Sequence, residues 1–169
     1  MKKIISTVMM VLMVISMSAV SFAGSQITSK EALRIALKDA HLTRAKVTKV
    51  ENEYEHGKYE VEFTKKSNKA EYDYEIGRTG RILEKSVDYR YKKDHSRKKI
   101  GKAAARKKAA KVTGVSLKVV KKGSCRYEYD DDDRKGKYEV KFKKGHYKYE
   151  VEILAPPGAI MEYDKEYRK

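Results

Sequence analysis

The chain has few of the residues that build covalent or rigid frameworks. Among its 169 residues there are one cysteine, two prolines and no tryptophan. A single cysteine, Cys125, excludes an intrachain disulfide, so the stability of the fold has to come from packing. Cys125 is either a reactive or intermolecular thiol or, in the interpretation we prefer, an incidental residue at the start of a strand.

Catalytic signatures are missing as well. The sequence contains no His-Glu-x-x-His, no Gly-x-Ser-x-Gly and no phosphate-binding glycine loop. The histidines fall at a helix end, in two turns and in a linker: His41, His56, His146 and His95. A nucleophilic pair of Cys125 with one of them is conceivable but has no supporting signature. We therefore predict that the protein is not an enzyme, and that it has no catalytic residue and no cofactor.

A run of acidic residues, Asp130 to Asp133, could attract a hard cation, since calcium prefers clustered oxygen ligands. The run lacks the alternating aspartates and the glycine that wrap a loop around one ion. Consecutive aspartates on an extended hairpin point in alternating directions and do not converge easily. We interpret the run as a solvated hairpin tip and predict no metal site.

The first residues have the pattern of a secretory signal peptide. Lys2 and Lys3 precede an uncharged run from Ile4 to Ala23, which ends in Ser-Phe-Ala. A retained membrane anchor is the alternative, because the run is nearly long enough to span a bilayer. The Ser-x-Ala end and the polar chain after it favour cleavage at residue 23. We therefore expect a secreted or cell-envelope-associated protein with no stable transmembrane span after cleavage.

The rest of the chain carries one pattern twice. The segment Tyr59–Phe63 (Tyr-Glu-Val-Glu-Phe) returns at Tyr138–Phe142 (Tyr-Glu-Val-Lys-Phe), each time after an alanine-rich helical stretch. A repeat of this length is long enough to fold as a small domain. We divide the chain into a signal peptide, a first module, a basic linker and a second module: 1–23, 24–91, 92–99 and 100–169.

Local patterns predict the fold of each module. Thr28 and Glu31 have the spacing of a capping box, and the helix that they begin should end near His41. Alternation of apolar and acidic residues then predicts antiparallel strands, such as 58–64. The predicted fold class is α+β, with two repeats that each pack one helix on a roughly four-stranded antiparallel sheet. Because each core alone would be small, we expect the modules to share an interface or to join their sheets.

Positive charge is concentrated in one part of the chain. The net charge of the whole sequence is +16, and residues 92–126 hold 14 basic residues against one acidic residue. The residues that we predict to bind anions lie in the linker and the second helix: Lys98, Lys99, Lys102, Arg106, Lys107, Lys108 and Lys111. Anionic envelope polymer, lipid head groups or an acidic protein would suit them. Nucleic acid is not expected, because no aromatic stacking platform accompanies the cluster. General surface charge is the plainer alternative.

Negatively charged residues are grouped as well, on the predicted strands of the first module. Glu60, Glu62, Glu71, Asp73 and Glu75 alternate with apolar residues on the predicted strands and should lie on an exposed sheet face. We interpret this face as solvated and balanced by lysines.

In its ordered set of motifs the chain resembles the PepSY domain. The motifs are Ile-x-x-x-x-Ala-x-x-x-Ala, then Tyr-Glu-Val-x-Phe, then Tyr-x-Tyr-Glu-Ile-x-x-x-Thr-Gly-x-Ile. The resemblance extends from Ile27 to about Tyr89 and, more loosely, from Ile100 to about Tyr163. It departs from the pattern at Arg106 and at the Pro156-Pro157 pair. PepSY domains occur in the propeptides of thermolysin-like metalloproteases and are proposed to restrain proteases.

The resemblance and the charge lead to two hypotheses. In the first, the protein is an exported, non-catalytic PepSY-type binding or regulatory module, in tandem form. No peptidase segment accompanies the modules, so it would act in trans on an extracellular protease or another exported protein. In the second, it is a cell-envelope module that binds anionic polymer or lipid through its basic linker and second helix.

Overall fold

The computed structural model describes residues 26–89, 100–130 and 135–169. The predicted signal peptide and basic linker lie outside these residues. The described chain forms three α-helices, a short 3₁₀ turn at Arg44–Lys46 and eight strands. The helices are α1 Ser29–Asp39, α2 Lys102–Thr113 and α3 Leu117–Val120. The strands are β1 Val47–Glu55, β2 Lys58–Lys65, β3 Glu71–Gly77, β4 Ile82–Asp88, β5 Ser124–Asp130, β6 Lys135–Lys144, β7 Tyr147–Ala155 and β8 Ile160–Tyr167.

All eight strands belong to one antiparallel sheet, in the order β1-β2-β3-β4-β8-β7-β6-β5. In its middle, β4 pairs with β8 from Glu84 opposite Glu166 to Asp88 opposite Glu162. The prediction of two repeats, each with one helix on its own four-stranded sheet, was wrong. The molecule is mostly sheet, with three helices on a single eight-stranded sheet. Local alternation identifies strands, but it does not show which distant edges will pair.

Helix α1 begins with the predicted capping box. The backbone N–H of Thr28 donates to Oε2 of Glu31 at 2.7 Å, and Oγ1 of Thr28 accepts from the backbone N–H of Glu31 at 3.3 Å. These bonds satisfy two of the backbone donors that a helix start leaves free. Ala32, Ala36 and Leu37 form the buried side of the helix.

Helix α2 is held differently. Its N-cap is Gly101, which makes no side-chain capping bond, and its first turn has no acidic residue. Ala105 and Ala109 are fully buried, so the helix lies close to the sheet through small side chains. It ends at Gly114, whose φ of 67° is in the left-handed region that glycine adopts without strain.

The hydrophobic core lies between the helices and one face of the sheet. Its largest fully buried side chains include Tyr74, Phe63, Ile76 and Ile153. At the β4–β8 pairing, Val87 and Tyr163 are opposite each other and buried. No described helix lies on the other face of the sheet, and none of the described helices has the length and apolar character to cross a membrane.

Candidate binding surfaces

The helix-free face of the sheet is built by strict alternation. In β2, Tyr59, Val61 and Phe63 are buried against the helices, so Glu60 and Glu62 point to the opposite side. The same alternation in the neighbouring strands places further carboxylates on that side. The sheet register then decides which carboxylates become neighbours.

Three rows of acidic residues cross the middle of this face. Across β2, β3, β4 and β8 the first row runs Glu62, Asp73, Ser86, Asp164; the second Glu60, Glu75, Glu84, Glu166; and the third Glu71, Asp88, Glu162. The first two rows continue onto β1 through Glu51 and Glu53. We call this group the acidic face: Glu60, Glu62, Glu71, Asp73, Glu75, Glu84, Asp88, Glu162, Asp164 and Glu166. Neighbours in a row are cross-strand partners, whose side chains lie closest together in a sheet. Like charges therefore meet directly at several positions.

The carboxylates respond to this crowding. Partial burial on the sheet surface, and then the nearby negative charges, raise the pKa of several side chains above their ordinary values. For Glu62 the main neighbour is Asp73, and for Glu84 it is Glu75. The pKa values are also raised, with burial as the largest cause, for Asp73, Glu162 and Asp164. The fold keeps these groups in an environment that disfavours their charged form.

Lysines balance only part of the helix-free face. On β6 and β7, Lys141 contacts Glu139 at 2.7 Å and Glu150 at 3.1 Å, and Lys137 contacts Glu152 at 2.7 Å. This half agrees with the interpretation of a face balanced by lysines.

In the acidic face the balance is incomplete. Lys58 forms ion pairs with Glu60 and Glu75, and Arg168 lies 3.0 Å from Glu166. Among the described residues, no salt bridge reaches six of the carboxylates: Glu62, Asp73, Glu84, Asp88, Glu162 and Asp164. Sequence reasoning found the first carboxylates of this surface, on β2 and β3. It missed those that β4 and β8 add, because they join the surface only through the long-range pairing.

The predicted anion-binding residues divide into three groups. Lys98 and Lys99 lie outside the described residues. Lys102, Lys107 and Lys111 are exposed on α2, and Lys108 is half-buried. Other exposed lysines follow on and after α3: Lys118, Lys121 and Lys122. The helices thus carry a basic surface on the opposite side of the molecule from the acidic face.

Arg106 stands apart from the exposed lysines. Its Nη2 donates to the carbonyl oxygen of Gly123 at 3.2 Å, and its Nε is buried without a hydrogen-bond partner in the described structure. A Cβ on Gly123 would overlap the carbonyl oxygen of Lys141, so the loop that Arg106 holds lies directly against the sheet. Arg106 therefore ties α2 to the start of β5, whereas the exposed lysines are free to meet an anion.

The other singled-out residues are less suited to chemistry. Cys125 is buried, and its Sγ lies 3.9 Å from the carbonyl oxygen of Lys102. Burial raises the pKa of the Cys125 thiol, which reduces the reactive thiolate at neutral pH. Asp131 to Asp133 lie outside the described residues. Within the described part of the chain, no group of three or more His, Cys, Asp or Glu side chains could hold a metal ion.

Comparison with known proteins identifies one domain. A PepSY domain (Peptidase propeptide and YPEB domain) covers residues 26–85, which correspond to α1 and the strands from β1 into β4. The PepSY-like character of the second half stays a prediction. No curated protein matches the chain.

Solved structures match most of the chain at low identity. A candidate lipoprotein from Clostridium difficile 630 is 16% identical with a TM-score of 0.31, covering 84% of this chain and 95% of that one. A candidate periplasmic protein from Bacteroides eggerthii DSM 20697 is 13% identical with a TM-score of 0.29, covering 82% and 90%. A BLIP-like protein from Bacteroides fragilis NCTC 9343 is 10% identical with a TM-score of 0.30, covering 85% and 90%.

Proposed function

We propose that this protein is an exported, non-catalytic PepSY-type module that binds another exported protein through its acidic face and regulates it in trans. A protease is the class of partner that the PepSY resemblance indicates. The observation that carries the proposal is a group of carboxylates that lie side by side on a helix-free sheet face, of which Glu62, Asp73 and Glu84 form no salt bridge with a described basic residue. The partner surface that fits them is basic.

The energetics favour a basic partner. Like charges directly opposite each other in a sheet are destabilising by about 0.2–1 kcal/mol per pair. Glu75 opposite Glu84, and Glu84 opposite Glu166, are such pairs. Arginine or lysine side chains of a partner would relieve this repulsion on binding, which adds to the complementarity of the two surfaces. The free protein retains that repulsion, because no described helix covers the face and brings basic side chains to it.

The acidic face also has the dimensions of an interface centre. It spans the four adjacent strands β2, β3, β4 and β8, or about 14 Å between the outer two. The three rows extend a similar distance along the strands, because alternate residues lie about 7 Å apart. A protein partner would add contacts around this patch to reach the roughly 800 Å² per side of a stable interface.

The test is a binding and inhibition assay with residues 24–169 and a purified secreted metalloprotease of the thermolysin-like class. We expect a complex of defined stoichiometry and a loss of protease activity when the module is in excess. A triple variant, Glu62→Gln with Asp73→Asn and Glu84→Gln, should bind at least about tenfold more weakly, since charge pairs at interfaces contribute several kcal/mol together. The control is Glu55→Gln with Glu128→Gln, which removes two exposed carboxylates outside the acidic face.

Two results would count against the proposal. Full protease activity without binding, at any excess of the module, would reject a protease as the partner. Equal affinity of the triple variant and wild type for a bound protease would reject the acidic face as the site.

The exposed lysines of α2 favour a second candidate function, in which the protein is held at the cell envelope by anionic polymer or lipid. Replacing Lys102, Lys107 and Lys111 by glutamine should release residues 24–169 from isolated envelopes at lower salt than wild type. Arg106 is kept, because its loss would disturb the loop at Gly123. The control replaces Lys30, Lys46 and Lys66, which are equally exposed elsewhere. If both variants are released at the same salt concentration, the lysines of α2 act only as general surface charge.

A further inference from the structure

A cleft opens on the helix side of the sheet, between the C-terminal ends of α1 and α2. Its volume is about 320 Å³, and its floor is formed by strands on both sides of the β4–β8 pairing. This volume is at the lower end of the range of about 300–1,000 Å³ that is typical of small-molecule pockets. The residues that line it differ from those of both binding surfaces described above, apart from Lys111 at the end of α2.

The cleft contains more positive than negative side chains. Lys85 and Lys165 are cross-strand partners, and their side chains are only 9% and 14% exposed. Both ammonium groups share one carboxylate, since Asp39 lies 2.8 Å from Lys85 Nζ and 3.6 Å from Lys165 Nζ. Lys111 adds a third ammonium group at the rim. One carboxylate therefore faces three lysines in a largely buried setting.

Helix ends offset part of this excess. Helices α1 and α2 both end at the cleft, and the C-terminus of a helix carries roughly half a negative charge. The Tyr74 hydroxyl also donates to Asp39, at 3.1 Å, which leaves the carboxylate fewer free acceptor sites for the lysines. His41, the other titratable group of the α1 end, lies at the edge of the cleft. About one positive charge remains uncompensated, which matches a ligand with a single negative charge.

Tyrosines supply the rest of the lining. Tyr149 and Tyr163 lie parallel, with ring centroids 6.5 Å apart, and Tyr72 and Tyr89 complete the aromatic wall. Lys85 Nζ lies 5.3 Å from the centre of the Tyr163 ring. Within the described residues, none of these four tyrosine hydroxyls makes a hydrogen bond with another side chain or the backbone. The cleft thus combines aromatic surface with free hydroxyl donors and an excess of ammonium groups.

We propose that this cleft binds a small organic anion, a single carboxylate carried on an aromatic or apolar body. The carboxylate would contact Lys165 and Lys111, while the body lies against Tyr149 and Tyr163. Lys85 and Asp39 form the polar base of the site. The inference does not depend on the acidic face, which is on the other side of the sheet.

The probe is benzoate, titrated into residues 24–169 with tyrosine-ring NMR shifts as the readout. We expect saturable shifts of Tyr149 and Tyr163 with a dissociation constant in the millimolar range or below, and weaker binding of acetate, which lacks the ring. Benzamide has the same ring without the charge, so it should bind at least about tenfold more weakly, since tenfold corresponds to 1.4 kcal/mol.

Lysine variants show whether benzoate binds in the cleft, and an exposed lysine is included so that a loss of binding is not confused with a loss of folding. Lys165→Gln should weaken benzoate binding about tenfold, and Lys111→Gln, at the exposed rim where the fold does not depend on it, should weaken it several-fold. The control is Lys118→Gln, an exposed lysine on α3 that does not line the cleft. The proposal is overturned if benzoate gives no saturable shifts at 24–169, if benzamide binds as well as benzoate, or if Lys111→Gln and Lys118→Gln bind alike.

Discussion

The two sides of the β4–β8 pairing carry charge of opposite sign. On the helix side, Lys85 is opposite Lys165, with Val87 opposite Tyr163 as the next pair. On the helix-free side, the pairs are Glu84–Glu166, Ser86–Asp164 and Asp88–Glu162. Like charges therefore meet on both sides of the same two strands. Asp39 reaches the lysines from α1, whereas no described basic residue forms a salt bridge with Glu84 or Glu162.

This difference shows what joins the two halves of the sheet. Cross-strand ion pairs do not, because on both sides the charged partners repel. The attraction comes from the backbone ladder and the buried pair of Val87 and Tyr163. Asp39 adds to it by bridging Lys85 and Lys165, and Arg81 adds a hydrogen bond from Nη1 to the Tyr167 hydroxyl at 2.9 Å. The charges are then available for other tasks. The lysines share one carboxylate, Asp39, and keep an excess of positive charge for an anionic ligand, whereas the carboxylates of the acidic face would be satisfied by a partner.

The largest expected effect comes from removing the compensating charge on the helix side. Burial alone would raise the pKa of Asp39, but Lys85 and then Lys165 outweigh it and hold that pKa below its ordinary value. In Asp39→Asn the two largely buried lysines lose their counter-ion, and breaking a buried pair in this way costs about 3 kcal/mol. Urea unfolding should show this loss of the free energy of unfolding.

A double variant separates charge from packing at the same site. Adding Lys85→Met to Asp39→Asn removes one of the uncompensated lysines, so it should recover part of the lost stability. If Asp39→Asn unfolds at the same urea concentration as wild type, the lysines are not held by this carboxylate. The comparison between the two sides of the pairing would then fail.

Weakening the apolar contact between the two halves of the sheet should have the next largest effect on the free energy of unfolding. Val87→Ala removes two buried methyl groups from the middle of the sheet and should lower the free energy of unfolding by about 2 kcal/mol. The control is Val119→Ala at a half-buried position on α3, where the loss should be smaller because less surface is buried. Equal losses in the two variants would show that the Val87–Tyr163 contact does not hold the sheet together.

Local features of the fold could be predicted from the sequence. The capping box at Thr28 and the strand at 58–64 were both predicted, and the structure confirms them as α1 and as β2, Lys58–Lys65. Both depend on neighbours within a few residues. The joining of β4 to β8 depends on residues about 80 positions apart in the chain, and no local pattern encodes it. The fold class was wrong for this reason.

The candidate surfaces were predictable to a similar extent. The exposed lysines of α2 follow from the local concentration of positive charge in the sequence, and the first carboxylates of the acidic face follow from their alternation with apolar residues. The lysines of the cleft were missed. A signal existed, because Lys85 and Lys165 each lie two residues from a buried residue, Val87 and Tyr163, and therefore on the same face of the sheet. A lysine at an inward-facing strand position indicates either an edge or a buried counter-ion, here Asp39 from a distant helix.

A smaller effect of opposite sign is expected on the helix-free side. Glu84→Gln removes repulsion from Glu75 and Glu166 and should raise the free energy of unfolding by about 0.2–1 kcal/mol per pair relieved. Glu128→Gln is the control in the balanced half, where the cross-strand partner of Glu128 is Lys137, which would lose an opposite charge. Its effect should be neutral or slightly destabilising. If both variants change stability in the same direction, the two halves of this face do not differ as described.

The smallest and most diffuse effect is a dependence of stability on pH. Carboxyl groups whose pKa is raised in the folded protein, such as Glu62, Glu84 and Glu162, bind more protons folded than unfolded. Stability therefore rises as the pH falls through their folded pKa values, down to the ordinary carboxyl range near pH 4. Below that range the lowered pKa of Asp39 reverses the trend, because protonation breaks its contact with Lys85. The thermal midpoint should thus increase as the pH is lowered from 7.5 to about 4.5, and the variant with Glu62→Gln, Asp73→Asn and Glu84→Gln should show a smaller increase. A midpoint that falls over this interval would mean that the acidic face costs the free protein nothing, and would remove the energetic reason for a basic partner.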